Sequence, residues 1–187
     1  AGGAVTDSGT QEITGVTTIS ASGQDVTLNT ATNNFAGEVR ITGAAVTVVD
    51  EDAIVLGASI VSGTYDLTAA GAITESGDLS IAGVTTLVAG GNDITLNRAG
   101  NNFQAAVIIT SGRNVTLVDA GAIDLGASTV TGTYAVTATA GGDITDSGVL
   151  TITGAATFTA ANGQSIYLDG ANTFSNTVAF SSGGTLA

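Results

Sequence analysis

The side chains able to do acid, base or metal chemistry in this sequence are almost all carboxylates. Sixteen Asp and Glu residues stand against three Arg, and His, Cys and Lys are absent. Asp7, Glu75 and Asp146 recur at matching places, 68 and 71 residues apart. Aligned three layers apart in a stack of parallel strands, they would lie about 14 Å from one another, too far to share a cation or form an acid/base pair. Because each precedes Ser-Gly, we expect each to accept backbone hydrogen bonds in a turn.

The densest group of carboxylates is Asp50-Glu51-Asp52. Because Ca²⁺ prefers several oxygen ligands, this group is the candidate for a weak calcium site, although it lacks the Asp-x-Asp spacing of dedicated calcium loops. The matching place later in the chain reads Asp119-Ala120-Gly121, which indicates that the cluster is not part of the repeat. Zinc-ligand spacings, phosphate loops and nucleophile motifs are absent from the sequence. We therefore predict no catalytic residue, no cofactor and no enzyme activity.

The net charge of −13 argues against two kinds of partner. Only Arg40, Arg98 and Arg113 are basic, so the chain offers no cationic surface to nucleic-acid phosphates or to anionic membranes. No apolar run reaches the length of about 18 residues that a membrane span requires. The sequence thus predicts no nucleic-acid partner and no membrane span in this segment.

A motif of Asn and Phe recurs with the carboxylates, as Asn33-Asn34-Phe35, Asn101-Asn102-Phe103 and Asn172-Thr173-Phe174. We interpret it as structural: the Asn takes a left-handed corner and bonds its own backbone, while the Phe fills the space behind it. A repeated binding notch is the alternative. Tyr65 and Tyr134, each in Gly-Thr-Tyr, are interpreted as packing or surface aromatics rather than a sugar-stacking platform.

Short strands must position these residues. Triplets such as Val26-Thr27-Leu28, Ile94-Thr95-Leu96 and Val115-Thr116-Leu117 alternate an inward apolar residue with an outward Thr. Corners rich in Gly, Asn and Asp separate them about every 20–30 residues, and no helical period occurs. This pattern predicts an all-β parallel β-helix, or β-solenoid, with three turns in each 68–71-residue repeat. A hairpin sandwich also fits the local spacing, but the return of identical side chains at equivalent corners favours the solenoid.

We divide the chain into a single solenoid segment, residues 1–187, with repeats at about 2–70, 71–140 and an incomplete 141–187. Ala1 already lies inside the repeat pattern, Leu186 falls near the start of a further strand, and Ala187 interrupts a copy. We therefore expect a fragment of a longer chain or filament. Solenoid ends present unpaired backbone groups, so the expected continuation is more of the same chain or a subunit docked end to end into a fibre.

Several strings resemble the repeat regions of bacterial filamentous-haemagglutinin-like exoproteins and giant β-strand-repeat adhesins. They are GAITESG, GVTTLVAGGNDITL, AGNNF, NVTLVDAGAIDLGAS and TGTYAVTA. The resemblance covers the whole chain and implies a secreted, right-handed parallel β-helix that forms a long shaft at the cell surface. The secretion domain of that family, with its Asn-Pro motif, is not in this sequence, which contains no Pro.

These observations predict a structural segment of a secreted bacterial surface fibre or adhesin, located outside the cell and without catalysis. Its expected partners are copies of itself, with host or matrix glycans as a further class. The alternative is a glycan-binding module that uses repeated Asn, Thr and Tyr side chains on one face. A glycan hydrolase or lyase is a third reading, for which no residue provides a marker.

Overall fold

The computed structural model describes residues 2–184, and that part of the chain folds into parallel strands without a helix. The strands stack in turns of about 21 residues, giving a β-solenoid of about eight turns. The predicted all-β solenoid is therefore confirmed, and the hairpin sandwich is excluded because every strand pairing is parallel. The expectations placed on Ala1, Leu186 and Ala187 lie outside the described residues.

The strands in chain order are β1 (Val5–Thr6), β2 (Glu12–Ile13), β3 (Thr17–Ser20), β4 (Val26–Leu28), β5 (Asn34–Phe35), β6 (Glu38–Gly43), β7 (Val46–Asp50), β8 (Ile54–Leu56), β9 (Ser59–Val61), β10 (Tyr65–Ala69), β11 (Ile73–Glu75), β12 (Leu79–Ile81), β13 (Thr85–Val88), β14 (Ile94–Leu96), β15 (Asn102–Phe103), β16 (Val107–Ser111), β17 (Val115–Asp119), β18 (Ile123–Leu125), β19 (Ser128–Val130), β20 (Tyr134–Ala138), β21 (Ile144–Asp146), β22 (Leu150–Ile152), β23 (Ala156–Ala160), β24 (Ile166–Tyr167), β25 (Thr173–Phe174) and β26 (Val178–Ser181).

The apolar–Thr–apolar triplets set both the register and the core. Ile94 pairs with Val115, Thr95 with Thr116 and Leu96 with Leu117, so like side chains lie above one another on successive turns. The apolar members are fully buried and the Thr members are half-buried on the outside. Val, Ile and Thr suit this pleated, one-sided surface because their branched side chains pack well on it. A continuous aliphatic core therefore runs along the solenoid axis.

Two long stacks of strands run through the whole described solenoid. Stack A is β1-β4-β7-β10-β13-β16-β18-β21-β24, and stack B is β3-β6-β8-β11-β14-β17-β20-β23-β26. The third side of the solenoid consists of short stacks, which are β2-β5, β9-β12-β15 and β19-β22-β25. The solenoid thus has two continuous faces and one interrupted face.

The interruptions arise at two strands that pair with two successors each, which we call stack switches. The start of β6 pairs with β8 through Val39 and Leu56, and its end pairs with β9 through Thr42 and Ile60. β16 does the same, pairing with β18 through Val107 and bridging to β19 from the adjacent Gly112. One short stack ends at each switch and another begins. The second switch is the repeat of the first, ten strands later.

The sequence repeat is therefore longer than the predicted three turns. Strands ten apart in order are repeat equivalents: Val5 of β1 corresponds to Ile73 of β11, 68 residues later. From β1, three full turns lead to β10 in the same stack A, and the repeat equivalent β11 follows in stack B. Equivalent residues consequently do not lie directly above one another after each repeat.

Truncation of inward and outward side chains should have very different costs. We expect Ile94→Ala and Leu117→Ala each to lower the free energy of unfolding by roughly 2–5 kcal/mol, because each leaves a cavity in the core. Thr95→Ala and Thr116→Ala, on the outer face of the same strands, should cost within about 1 kcal/mol. Denaturant midpoints measure the difference, and the reverse ranking would contradict the assigned strand faces.

Candidate functional site

Three carboxylate–Asn pairs form the repeated polar feature of the molecule. The Asn33 amide donates to Asp7 at 2.7 Å, Asn101 to Glu75 at 3.0 Å, and Asn172 to Asp146 at 2.6 Å. Each pair joins residues 26 positions apart, which places its two members on successive turns. The steps of 68 and 71 residues seen in the sequence therefore reflect one inter-turn contact repeated three times.

The Asn residue of each pair also bonds the backbone of the preceding turn. The Oδ1 atom of Asn33 accepts the Gln11 N–H at 2.9 Å, and that of Asn101 accepts the Leu79 N–H at 2.9 Å. Asn33 and Asn101 are fully buried. The predicted left-handed corner is wrong, because no non-glycine residue between 2 and 184 has a positive φ angle. The structural interpretation is supported by a different contact, one that links turns rather than closing a corner.

In the third copy Asn172 accepts the Leu150 N–H at 2.8 Å, while Phe174 is only partly buried beside the core. Phe35 and Phe103 are fully buried, as expected of side chains that fill the space inside the corner. Asn34 and Asn102, the second Asn of the motif, lie on the outward side of their strands. Only the first Asn and the Phe are therefore required by the core.

The three carboxylates accept backbone hydrogen bonds, but from the following turn and not from their own. Asp7 accepts the Thr30 N–H at 3.1 Å, Glu75 the Arg98 N–H at 2.6 Å, and Asp146 the Asp169 N–H at 3.0 Å. Desolvation is the largest influence on Asp7, yet hydrogen bonds from Asn33 and Thr30 outweigh it and lower its pKa. For Glu75, burial dominates and raises the pKa.

The carboxylates do not line up along one face. Asp7 follows β1 and Asp146 ends β21, both in stack A, whereas Glu75 ends β11 in stack B. The predicted 14 Å alignment of neighbouring copies, about three layers of strands, is therefore wrong. Each carboxylate instead fastens its own pair of turns together.

In the calcium candidate Asp50-Glu51-Asp52, the first carboxylate is bonded to the backbone. Both oxygens of the buried Asp50 are engaged: Oδ2 accepts the Phe35 N–H and Oδ1 the Asp52 N–H, each at 2.8 Å. Glu51 and Asp52 are exposed and receive the Asn34 amide at 3.5 and 3.2 Å. Within residues 2–184 no group of three or more His, Cys, Asp or Glu side chains is placed to hold a metal ion. Of the three carboxylates in the calcium hypothesis, only Glu51 and Asp52 are exposed.

Asp50 and Asp119 are repeat equivalents, and the sequence reasoning missed the role that they share. The Oδ2 atom of Asp119 accepts the Phe103 N–H at 2.6 Å and its Oδ1 accepts the Gly121 N–H at 2.6 Å, as at Asp50. Burial raises the pKa of Asp119 despite these two bonds. In each case the N–H belongs to the last strand of a short stack, β5 or β15, which has no following strand to pair with. The shared Val-Val-Asp and Leu-Val-Asp endings were the available signal.

A buried Ser completes each stack switch. Ser59 Oγ accepts the Ile41 N–H at 3.0 Å and donates to the Gly57 carbonyl at 2.9 Å. Ser128 repeats this arrangement with Ile109 at 3.2 Å and Gly126 at 2.9 Å. The N–H that each Ser satisfies lies where β6 or β16 passes from one partner strand to the next. The repeated Gly-Ala-Ser at 57–59 and 126–128 marks this position in the sequence.

Tyr65 and Tyr134 are core residues and not surface aromatics. Both are fully buried, and burial raises the pKa of both phenols. Tyr134 packs edge-on against Phe158 with ring centroids 5.9 Å apart. Tyr65, Tyr134, Asn33 and Asn101 are therefore not on the surface where a glycan could contact them, whereas Asn34 and Asn102 remain on the outward side.

The outer surface of residues 2–184 carries carboxylates, three of which form ion pairs with the Arg residues. Arg40 bonds Glu38 at 2.9 Å, Arg98 bonds Asp78 at 2.7 Å, and Arg113 bonds Asp93 at 2.9 Å.

A cavity of about 290 Å³ opens at the end of the core beside β1 and is lined by Val5, Ile13, Ile19, Leu28 and Phe35 among others. No helix in residues 2–184 is long and apolar enough to cross a membrane.

Removing one buried amide tests the inter-turn role of the Asn residues. We expect Asn101→Ala to lower the free energy of unfolding by about 2–3 kcal/mol, because it leaves the buried Leu79 N–H without an acceptor. Asn102→Ala is the matched control, since the neighbouring side chain is exposed, and should cost within about 0.5 kcal/mol. Equal losses in chemical denaturation would show that the buried amide has no special role.

Comparison with known proteins gives one family and no individual relative. No curated protein and no solved structure matches the chain. Residues 1–42, 43–110 and 112–181 each match the same repeat family. The boundaries between these matches fall at the ends of β6 and β16, the two switch strands. Since the matches cover nearly the whole chain, it belongs to the family described as Repeats of unknown function (DUF5649).

Proposed function

We propose that this chain is a structural, non-catalytic shaft segment of a secreted bacterial surface fibre, of the filamentous-haemagglutinin-like or giant β-strand-repeat adhesin type. One observation carries the proposal: an unbroken apolar core runs along the axis, and each turn is hydrogen-bonded to the next. Such a solenoid can be lengthened by adding repeats, because each repeat contacts only its neighbours. Length along one axis is the property that a shaft requires.

The polar residues support a structural role for the repeat. Its recurring carboxylates are each engaged by an Asn amide and by backbone N–H groups of the next turn. With a rise of about 4.8 Å per turn, eight turns extend about 38 Å, so a long array would project far from its point of attachment. The proposed partners are further repeats of the same chain, or another copy stacked end to end, because exposed strand edges pair readily.

The proposal places the protein outside the cell, and immunogold microscopy tests this. Antibodies raised against the folded 187-residue chain would be applied to intact and to permeabilised cells that make the parent protein. We expect gold on intact cells, at a distance from the envelope, and its loss after treatment of whole cells with protease. Labelling that appears only after permeabilisation would overturn the proposal.

A further inference from the structure

Repeat-equivalent strands lie alternately in the two long stacks. Thr18, Thr86 and Thr157 occupy the same outward position in the three copies, on β3, β13 and β23. β3 and β23 belong to stack B, and β13 belongs to stack A. The same exchange holds for β1, β11 and β21, which lie in stacks A, B and A.

The stack switches produce this exchange. Before the first switch the chain passes through its stacks in the order A, short, B, as in β4, β5 and β6. After it the order is A, B, short, as in β10, β11 and β12, and the second switch restores the original order in β21, β22 and β23. The short stack therefore moves from one side of the cross-section to the other at each switch. Rotating the cross-section by a half-turn about the solenoid axis exchanges stack A with stack B. This rotation converts the order A, short, B into the order A, B, short.

The axial spacing follows from the strand count. Seven steps within stack B separate β3 from β23, two repeats apart. At about 4.8 Å per step, these strands lie about 34 Å apart, so one repeat advances about 17 Å. One repeat therefore comprises about three and a half turns of the solenoid. The additional half-turn moves equivalent strands from one long stack to the other.

The two faces are also chemically alike. Thr27, Thr47 and Thr86 lie in one outward row on stack A, interrupted by Asp66. Thr74, Thr95 and Thr116 form the corresponding row on stack B, followed by Ala135 in the place of Asp66. Uncharged hydroxyl groups thus dominate both rows.

From these observations we infer that each repeat is a half-turn screw unit, which makes the solenoid a two-faced display. A side chain placed once per repeat faces one side in the first and third copies and the other side in the second. On either face the same chemistry returns only every second repeat, about 34 Å along the axis. The inference builds on the proposed shaft function: contacts made through such side chains are available on both sides, so the shaft can bridge two surfaces.

Distances between spin labels test this arrangement, and the absence of Cys from the chain makes labelling specific. The variants are T18C/T86C and T18C/T157C, with T27C/T86C as the same-face control. The control residues are three steps apart in stack A, about 14 Å. We expect about 34 Å for Thr18–Thr157 along stack B. For Thr18–Thr86 we expect more than about 20 Å, since about 17 Å along the axis combines with a crossing of the core, where sheets lie about 10 Å apart.

A Thr18–Thr86 distance as short as the control would mean that successive repeats present the same face, and would overturn the inference. Because Thr18 is exposed and Thr86 lies on the outer side of its strand, the labels should leave the core intact, which circular dichroism would verify. The measurement is independent of location in the cell. If the spin-label distances are as expected but immunogold labelling of intact cells fails, only the shaft function is rejected. If the labelling succeeds but the distances differ from those expected, only the two-faced display is rejected.

Discussion

Gly148→Ala is expected to separate the last turns of the solenoid from the rest. A Cβ at Gly148 would overlap the backbone nitrogen of Ala127 on the preceding turn and lie 2.7 Å from its Cα. Both contacts are to backbone, so no flexible side chain can move aside. We expect a loss of about 3 kcal/mol or more at this interface between turns.

The loss should be local, because a solenoid is stabilised turn by turn. Amides in β22 to β24 should lose hydrogen-exchange protection, while those in β7 to β14 retain it. Gly77→Ala, with the same overlap on Ala58, should disturb the middle of the chain instead. Gly9 is the matched control, since it holds the same place in the repeat but nothing lies within 4 Å of its Cβ position. Unchanged protection in Gly148→Ala, or an equal loss in Gly9→Ala, would contradict the close packing of these turns.

The fold could be predicted because its physical cause is local. The alternation in Ile94-Thr95-Leu96 specifies which side chains face inward, and the burial of Ile94 and Leu96 agrees with it. Corner residues recurring at nearly constant spacing then indicate that each strand pairs with its equivalent one turn later. The first signal is contained in a few consecutive residues and the second is a spacing along the chain, so neither required knowledge of which strands pair.

The stack switches could not be predicted, because they depend on pairing and not on local pattern. β6 reads as an ordinary alternating strand, and nothing in Val39 to Thr42 shows that its two halves pair with different strands. The repeat length suggested three turns, although the switches add part of another. The backbone role of Asp50 was missed for the same reason: beside Glu51 and Asp52 it suggested a metal ligand, and its bond to Phe35 depends on where a short stack ends.

Whether the tyrosines are buried was the other point that the sequence left open. Tyr65 was compatible with packing or with the surface, because a phenol can serve in either place. Its position directly above Val46 in stack A makes it an inward residue. The strand register, and not the residue type, therefore determines that Tyr65 faces the core.

Asp119→Asn should destabilise the second stack switch although it preserves the shape of the side chain. The carboxylate accepts two N–H groups, from Phe103 and Gly121, one on each oxygen. An amide offers a single acceptor, so one of these donors would face an NH₂ group inside a site with no exposed surface. We expect a loss of roughly 1–3 kcal/mol for Asp119→Asn. Asp119→Ala removes both acceptors and should cost more, roughly 2–5 kcal/mol.

Asp66→Asn is the matched control for these substitutions. Asp66 is exposed at the second position of β10, and the equivalent position in the next repeat is Ala135, so the change removes a charge without removing a required acceptor. It should alter stability by no more than about 0.5 kcal/mol. Urea midpoints rank the three variants, and hydrogen exchange at the Phe103 amide reports on the switch itself, because this N–H has no strand beyond it to bond. If that amide stayed protected in Asp119→Ala, the short stack would end by some means other than the Asp119 carboxylate, and the role assigned to Asp50 in the preceding repeat would be wrong as well.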